Sequence, residues 1–293
     1  DWICYPVACP SDSQFNGQWH HQANIMESCA GWDLETGDPS VVVAICDTGV
    51  LTSHEDLQLH REEGFHAPSN TWENSGGDIS PIASHGTMCT GSACGNGNNG
   101  IGISGVGWNL GHRMMRVTDD PSGGASLSNL TLAARTAAEA GDKVASVSYS
   151  GVQSGSVDST GAYVRSLGSL LIWAAGNSGQ NMTGSRDDNV IVVGATSSND
   201  TRSSFSNFGP FVDLMAPGSG ILTTNSGNSS DYASVSGTSF SCPITAGMCA
   251  MIWSADPSLS PQQVEDLLRA SCDDLGAAGL DDEYGYGRVN LRK

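Results

Sequence analysis

Four short segments carry residue types that could perform acyl-transfer chemistry. GTSFSCP, residues 237–243, puts Ser239 behind Gly237-Thr238 and ahead of an apolar, helix-compatible run, ITAGMCAMIWSA. A serine at the mouth of a helix exposes its hydroxyl, and its own N–H points outward at the positive helix end, where anions are favoured. It is a candidate nucleophile whose amide can hold a developing oxyanion. The competing reading is an ordinary helix-capping serine. Such a nucleophile needs a base within hydrogen-bond reach and a group that orients the base. Of the seven histidines, His85 in SHGTMCTG opens a small-residue run that can start a helix, whereas His54 sits in a loop and His20-His21 in an irregular arm. Asp47, in ICDTGV, is delivered by a buried apolar run and followed by Gly49, which turns the chain away. Asn177, in AAGNSG, offers an amide donor beside Ala and Gly, which let a substrate approach the backbone. Taken singly, a strand-end Asp or an Asn-Ser-Gly is more often a turn former.

The elements able to position these residues read as alternating strands and helices. VVVAIC (41–46), RMMRV (113–117), VASVSY (144–149), LLIWAA (170–175) and VIVVGA (190–195) have the pattern of buried strands. The spacing predicts a helix over 126–140, capped by Ser126, with Leu127, Leu130, Ala134 and Ala137 on one face. Two more are expected over 239–254 and 261–272, the latter entered through Ser260-Pro261. The alternation implies an α/β fold in three layers, a mainly parallel central sheet with helices on both faces. In such sheets ligands bind beyond the carboxyl ends of the strands, which points at Asp47, Tyr149 and Asn177. No repeat, low-complexity linker or domain boundary interrupts the pattern. Residues 1–293 are therefore read as one domain, with 1–30 an irregular arm packed on it.

Composition narrows the classes. With 31 acidic residues against 12 basic, the formal charge is −19, and Lys143 and Lys293 are the only lysines. That balance argues against nucleic-acid partners, which need Lys and Arg to neutralise phosphates, and against docking on anionic membranes. It reads as a solubilising surface; a saline or acidic medium, or metal binding, is the alternative. No uncharged apolar run approaches the roughly 18 residues of a membrane span. The chain opens on Asp1 rather than Met, which suggests a processed N-terminus. Nine cysteines, an odd number, leave at least one unpaired in a monomer and, with low charge density, favour export.

With these four contexts in the order Asp47, His85, Asn177, Ser239, the chain resembles the subtilisin-like serine proteases, the subtilases. Supporting segments span nearly its whole length: FNGQW (15–19), HEDL (54–57), NNGIGISGVG (98–107), NVIVVGAT (189–196), FSNFGPFVDLMAPG (205–218) and YGYGRVN (284–290). The order excludes chymotrypsin-type enzymes (His, Asp, Ser) and α/β-hydrolases (Ser, Asp, His). The resemblance implies that Ser239 attacks the scissile carbonyl, His85 shuttles its proton and Asp47 holds the imidazole, with Asn177 and the Ser239 amide around the oxyanion. It further implies a secreted, monomeric endopeptidase acting on protein or peptide substrates. Its own pro-segment would serve as folding aid and inhibitor in the precursor. An inactive subtilase-like binding module is the alternative, against which stands the presence of all four residues. A lipase or esterase lacks support because no serine lies in GxSxG.

The resemblance also implies a Ca²⁺ site joining Asp12 of the arm, Asp56 of HEDL and the loop 96–103, with the Asn99 side chain and the Ile101 and Ile103 carbonyls as ligands. The bland reading is an Asn/Gly-rich turn. Substrate would pair along Ser148, Tyr149 and Ser150, with Ala174, Ala175 and Gly176 as the other pocket wall. Backbone pairing reads little sequence, so broad specificity is expected. No acidic residue lines these walls, and Gln153 stands where dibasic-specific relatives carry Asp, so an apolar or aromatic residue is expected before the cleaved bond. Two decoys fail. Asp47-Thr48-Gly49 has no second copy to form an aspartic-protease dyad, and Gly100-Ile101-Gly102-Ile103-Ser104-Gly105 follows no strand and opens no helix. Cys46, Cys89 and Cys242, close to the triad in sequence, read as buried small hydrophobes, a redox or heavy-metal switch being the alternative. Cys4–Cys9 and Cys249–Cys272 are the expected disulfides.

Overall fold

The apolar run at 41–46 becomes strand β1 (Val42–Asp47), every residue of which is buried in the computed structural model, whose described residues are 9–186 and 188–293. A strand buried on both faces needs partners on both edges, and β1 has them. In chain order the elements are α1 (Ser28–Trp32), β1, β2 (Phe65–His66), β3 (Thr71–Trp72), α2 (His85–Cys94), β4 (Gly111–Arg116), α3 (Leu127–Glu139) and β5 (Val144–Val147). Then come α4 (Gly155–Ser166), β6 (Leu170–Ala174), β7 (Val190–Thr196), β8 (Leu214–Pro217), β9 (Ile221–Thr224), β10 (Tyr232–Val235), α5 (Thr238–Ala255) and α6 (Pro261–Ser271). The eight-stranded sheet runs β3-β2-β4-β1-β5-β6-β7-β8 and is parallel except for β2–β3; β9 and β10 form a separate hairpin.

Alternation along β1 divides the core. Val43 and Ile45 face the layer of α2 and α5, with Ile172, Ile244 and Trp253, whereas Ala44 and Cys46 face α3 and α4, with Leu130, Leu171 and Trp173. Each fully buried aliphatic side chain of this kind stabilises by roughly 1.5–3 kcal/mol. α5 is apolar nearly all round and is buried from Phe240 to Met251, as a helix clamped between sheet and neighbours must be. The expected caps form: Ser126 Oγ accepts the Asn129 N–H, and Ser260 with Gln263 makes a reciprocal capping box.

The chain leaves β1 toward β4 on one side, and β5 lies on the other. That reversal opens a crevice at the carboxyl ends of β1, β5 and β6, where Asp47, Ser148 and Asn177 emerge.

Beyond strands β2, β3, β8, β9 and β10, which no apolar run named above announces, the structure departs from the sequence expectations in three places. α4 is not announced by the sequence, because Thr160 and Gly161 interrupt its buried stripe between Val157 and Val164 and blur the apolar period. The arm is less irregular than expected, holding two short 3₁₀ turns (Phe15–Gly17, Trp19–His21) and α1. The expected disulfides are corrected: Cys9 is bonded to Cys29, which α1 carries against the arm, while Cys4 lies outside the described residues. Cys249 and Cys272 are buried free thiols, the latter turned back to donate to the Leu268 carbonyl at the end of its own helix (3.4 Å). Among the described residues, no helix is long and apolar enough to cross a membrane.

Candidate active site

β1 ends by delivering Asp47 into a fully buried position, and the following turn locks it to α2. The Thr48 N–H donates to Asp47 Oδ1 (2.7 Å), while Thr48 Oγ1 donates to the Ala83 carbonyl (2.9 Å) and accepts the Gly86 N–H (3.0 Å). Gly49 adopts φ +101°, and a Cβ there would fall 2.2 Å from the Ser80 carbonyl oxygen. The turn is thus open only to glycine. His85, the first residue of α2, is held beside Asp47: its Nδ1 lies 2.8 Å from Oδ1 and 3.0 Å from Oδ2. An ionised carboxylate only accepts, so Nδ1 carries the proton and Nε2 presents a lone pair on the opposite side of the ring. Burial opposes protonation of this imidazole, but the Asp47 charge and hydrogen bond outweigh it and lift the pKa well above 6.5.

Ser239 is the second residue of α5, so its N–H has no acceptor within the helix. Its hydroxyl is loosely engaged, donating to the Ser148 carbonyl at 3.4 Å, and no hydrogen bond joins it to His85. Pro243 explains how this turn is held. Having no N–H, it cannot bond the carbonyl four residues earlier, that of Ser239. That carbonyl instead accepts from Ser148 Oγ (2.8 Å) and the Cys89 thiol (3.4 Å). Cys89, one turn along α2 from His85, also lies 3.7 Å from its Nδ1, and the Phe240 ring sits 5.7 Å from the imidazole. Serine and histidine are therefore tied to the same buried neighbour. Burial pushes the Cys89 thiol up, and Cys242 up to about 12, so both remain neutral; Cys46 is likewise buried and raised.

Asn177 is exposed beyond β6. The Thr238 N–H and hydroxyl donate to its Oδ1 (2.8 and 2.9 Å), which fixes Oδ1 against the first residue of α5 and leaves the donor task to its NH₂ group. Thr238 had no role in the sequence reading, although its place directly before Ser239 was the available signal. Ser148 is buried, Ser150 exposed, and Tyr149 donates from its hydroxyl to the Gly123 carbonyl (2.9 Å). The Ala175 N–H pairs with Val193, continuing β6 past Ala174, and the Gly176 N–H donates to Thr238 Oγ1 (3.1 Å). A cavity of about 210 Å³ beside the imidazole is lined by Thr48, Ala83, His85, Ser122, Gly123, Ser148 and Tyr149. Gln153 reaches across to the Thr183 carbonyl (2.9 Å).

The five residues expected around Ca²⁺ also converge. The Asp12 carboxylate accepts the Asn98, Asn99 and Gly100 N–H groups (2.8, 2.8 and 3.1 Å) and the Ser104 hydroxyl (2.5 Å). Asp56 accepts from Asn99 Nδ2 (2.8 Å), the Ile103 N–H (2.8 Å) and the Tyr232 hydroxyl (2.9 Å). Ile101 turns its N–H to Asn99 Oδ1 (2.9 Å). Ile101 and Ile103 thus meet this cluster through N–H groups where carbonyls were expected, because the Asp56 carboxylate and the Asn99 amide oxygen are acceptors and take donors. Both carboxylates are buried, neither pairs with Lys or Arg among the described residues, and desolvation raises the Asp56 pKa. Two buried anions with only oxygen-bearing side chains around them fit a hard cation, once the Asn99 amide exchanges ends. Tyr232 was missed there; nothing in its local sequence announces the contact.

Residues 38–287 match the Subtilase family (peptidase S8). The chain belongs to the subtilase family of serine endopeptidases. It is 33% identical over 97% of its length to thermitase of Thermoactinomyces vulgaris, covering 98% of that protein. It is 34% identical over 96% of its length to the halolysin-like extracellular serine protease Nep of Natrialba magadii, of which it spans 52%. Among solved structures, a protease of Pseudoalteromonas arctica PAMC 21717 superposes with a TM-score of 0.83 at 25% identity, covering 97% of this chain and 98% of that one.

Proposed function

We propose that this subtilase hydrolyses peptide bonds with Ser239 as nucleophile, His85 as general base and then acid, and Asp47 as the group that orients and supports the imidazole. The observation that carries the reading is the two-oxygen contact of buried Asp47 with His85 Nδ1, which leaves Nε2 to act as base, while Cys89 contacts both His85 and the Ser239 carbonyl. In this reading the Ser239 side chain rotates away from the Ser148 carbonyl to offer its hydroxyl to Nε2. Nε2 takes the hydroxyl proton as Oγ bonds the scissile carbonyl carbon, and the imidazolium then returns that proton to the leaving amine. The negative charge on the carbonyl oxygen meets the unpaired Ser239 N–H and the Asn177 NH₂ group. Water, activated by the same imidazole, releases the acyl product.

Substrate is read as an added strand along Ser148, Tyr149 and Ser150, opposed by Ala174, Ala175 and Gly176, with an apolar or aromatic residue before the cleaved bond. The uncharged character of these walls supports that preference. Asp12, Asp56 and the Asn99 side-chain oxygen would hold Ca²⁺, which supplies no chemistry to the reaction and pins the arm. We read the chain as one catalytic domain of a secreted monomer, made with an inhibitory pro-segment; the disulfide Cys9–Cys29 and the extracellular relative support export. A fluorophosphonate probe tests the core of the reading. The wild type should be labelled, whereas Ser239→Ala and His85→Ala should not; undiminished labelling of Ser239→Ala would refute the assignment.

A further inference from the structure

Asn207 lies on the connection between β7 and β8, is only 9% exposed, and has no place in the reaction derived above. Its side chain spans the loop that carries Asn177. Nδ2 donates to the Ala175 carbonyl (2.8 Å), while Oδ1 accepts the Ser178 N–H (3.2 Å), the Ser178 hydroxyl (3.2 Å) and the Gln180 N–H (2.9 Å). The Asn207 backbone N–H adds a bond to the Gly176 carbonyl (3.0 Å). One residue therefore binds the chain on both sides of Asn177.

The loop has a physical need for this. It leaves β6 through Gly176 at φ +101°, so its peptide groups turn away from any strand partner, and buried peptide groups must be met elsewhere. The packing is close: a Cβ on Gly176 would fall 2.7 Å from Asn207 Nδ2. An amide sets a donor and an acceptor on separate atoms of one short side chain, so it can bridge two stretches of backbone at once. Thr238 holds the Asn177 side chain and the Gly176 N–H, as described, whereas the Ser178 and Gln180 N–H groups beyond Asn177 are met by Asn207.

We infer that Asn207 is a positioning residue, which holds the 175–180 backbone so that the Asn177 NH₂ group is aimed at the forming oxyanion. The inference rests on Asn177 being an oxyanion donor. A preorganised donor displaced by about 1 Å costs on the order of 10²-fold in rate.

Four proteins test it: wild type, Asn177→Ala, Asn207→Ala and the double variant. Each is assayed for kcat and KM on a peptide p-nitroanilide with phenylalanine before the anilide, with thermal melts to establish that it is folded at the assay temperature. Asn177→Ala should lower kcat by roughly 10²–10³, and Asn207→Ala by about 10- to 100-fold. The double variant should fall no more than about twofold below Asn177→Ala, because the removed donor no longer needs aiming. Multiplying losses, or an unchanged kcat in Asn207→Ala, overturn the inference while leaving the oxyanion donor intact. A wild-type kcat in Asn177→Ala overturns the donor role itself. Should Asn207→Ala fail to fold, Asn207→Asp keeps the shape and one acceptor, removes the bond to Ala175, and must show the same non-multiplying pattern.

Discussion

His21 gives a sharp test of how the arm is held to the catalytic body. Its ring is fully enclosed, 4.2 Å from the His20 ring, 4.8 Å from Trp32 and 5.9 Å from Phe15, with Nδ1 on Ser28 Oγ (2.8 Å) and Nε2 on the Ser104 carbonyl (3.2 Å). Burial pushes its pKa down to about 3, so the folded chain keeps it neutral where the unfolded chain, near 6.5, takes up a proton. The stability it contributes is complete above about pH 6.5 and is lost as pH falls toward about 3, at roughly 1.4 kcal/mol per pH unit. Between about pH 7 and about pH 4.5 the loss is on the order of 2–3 kcal/mol, a large share of the roughly 5–15 kcal/mol of a typical domain. His21→Gln can still donate to Ser104 but binds no proton. Its deficit against wild type near neutrality should therefore shrink by a few kcal/mol at about pH 4.5. Guanidinium unfolding followed by tryptophan fluorescence, in a Ser239→Ala background to prevent self-digestion, measures the gap. Taking the difference cancels groups that act the other way, such as buried Asp213, whose pKa is raised to about 7. A gap that stays constant, or widens on acidification, would refute the reasoning.

Activity should have an acid limb above pH 6.5, because His85 must lose its proton to act as base and Asp47 holds that proton on. Asp47→Asn should cut kcat by roughly 10⁴ and move the limb to lower pH; a pH–rate profile that stays in place would contradict the coupling. EDTA should lower the melting temperature by exposing the Asp12–Asp56 pair, and an unchanged melt in calorimetry would argue against a bound cation. Cys29→Ser opens a loop closed across 20 residues and should cost about 3 kcal/mol by the chain-entropy relation, read as a lower denaturant midpoint with a slope that rises as the unfolded chain loosens.

The β1 strand, the Ser126 and Ser260 caps and the glycine after Asp47 were legible in the sequence because each depends on residues a few positions apart. So were the positions of the four candidate residues, since Asp47 and Asn177 follow strands and His85 and Ser239 open helices. Other features depended on pairing across the chain. Cys9 chose Cys29 because α1 packs on the arm, and Cys249 and Cys272 are buried as free thiols. Helix α4 was hidden because Thr160 and Gly161 interrupt its buried stripe between Val157 and Val164. Thr238, Tyr232 and Asn207 acquired their tasks only from partners 61, 176 and 32 positions away. Periodicity and capping act within a turn or two of chain, whereas which donor meets which acceptor is settled only when the sheet order brings distant strand ends to one crevice.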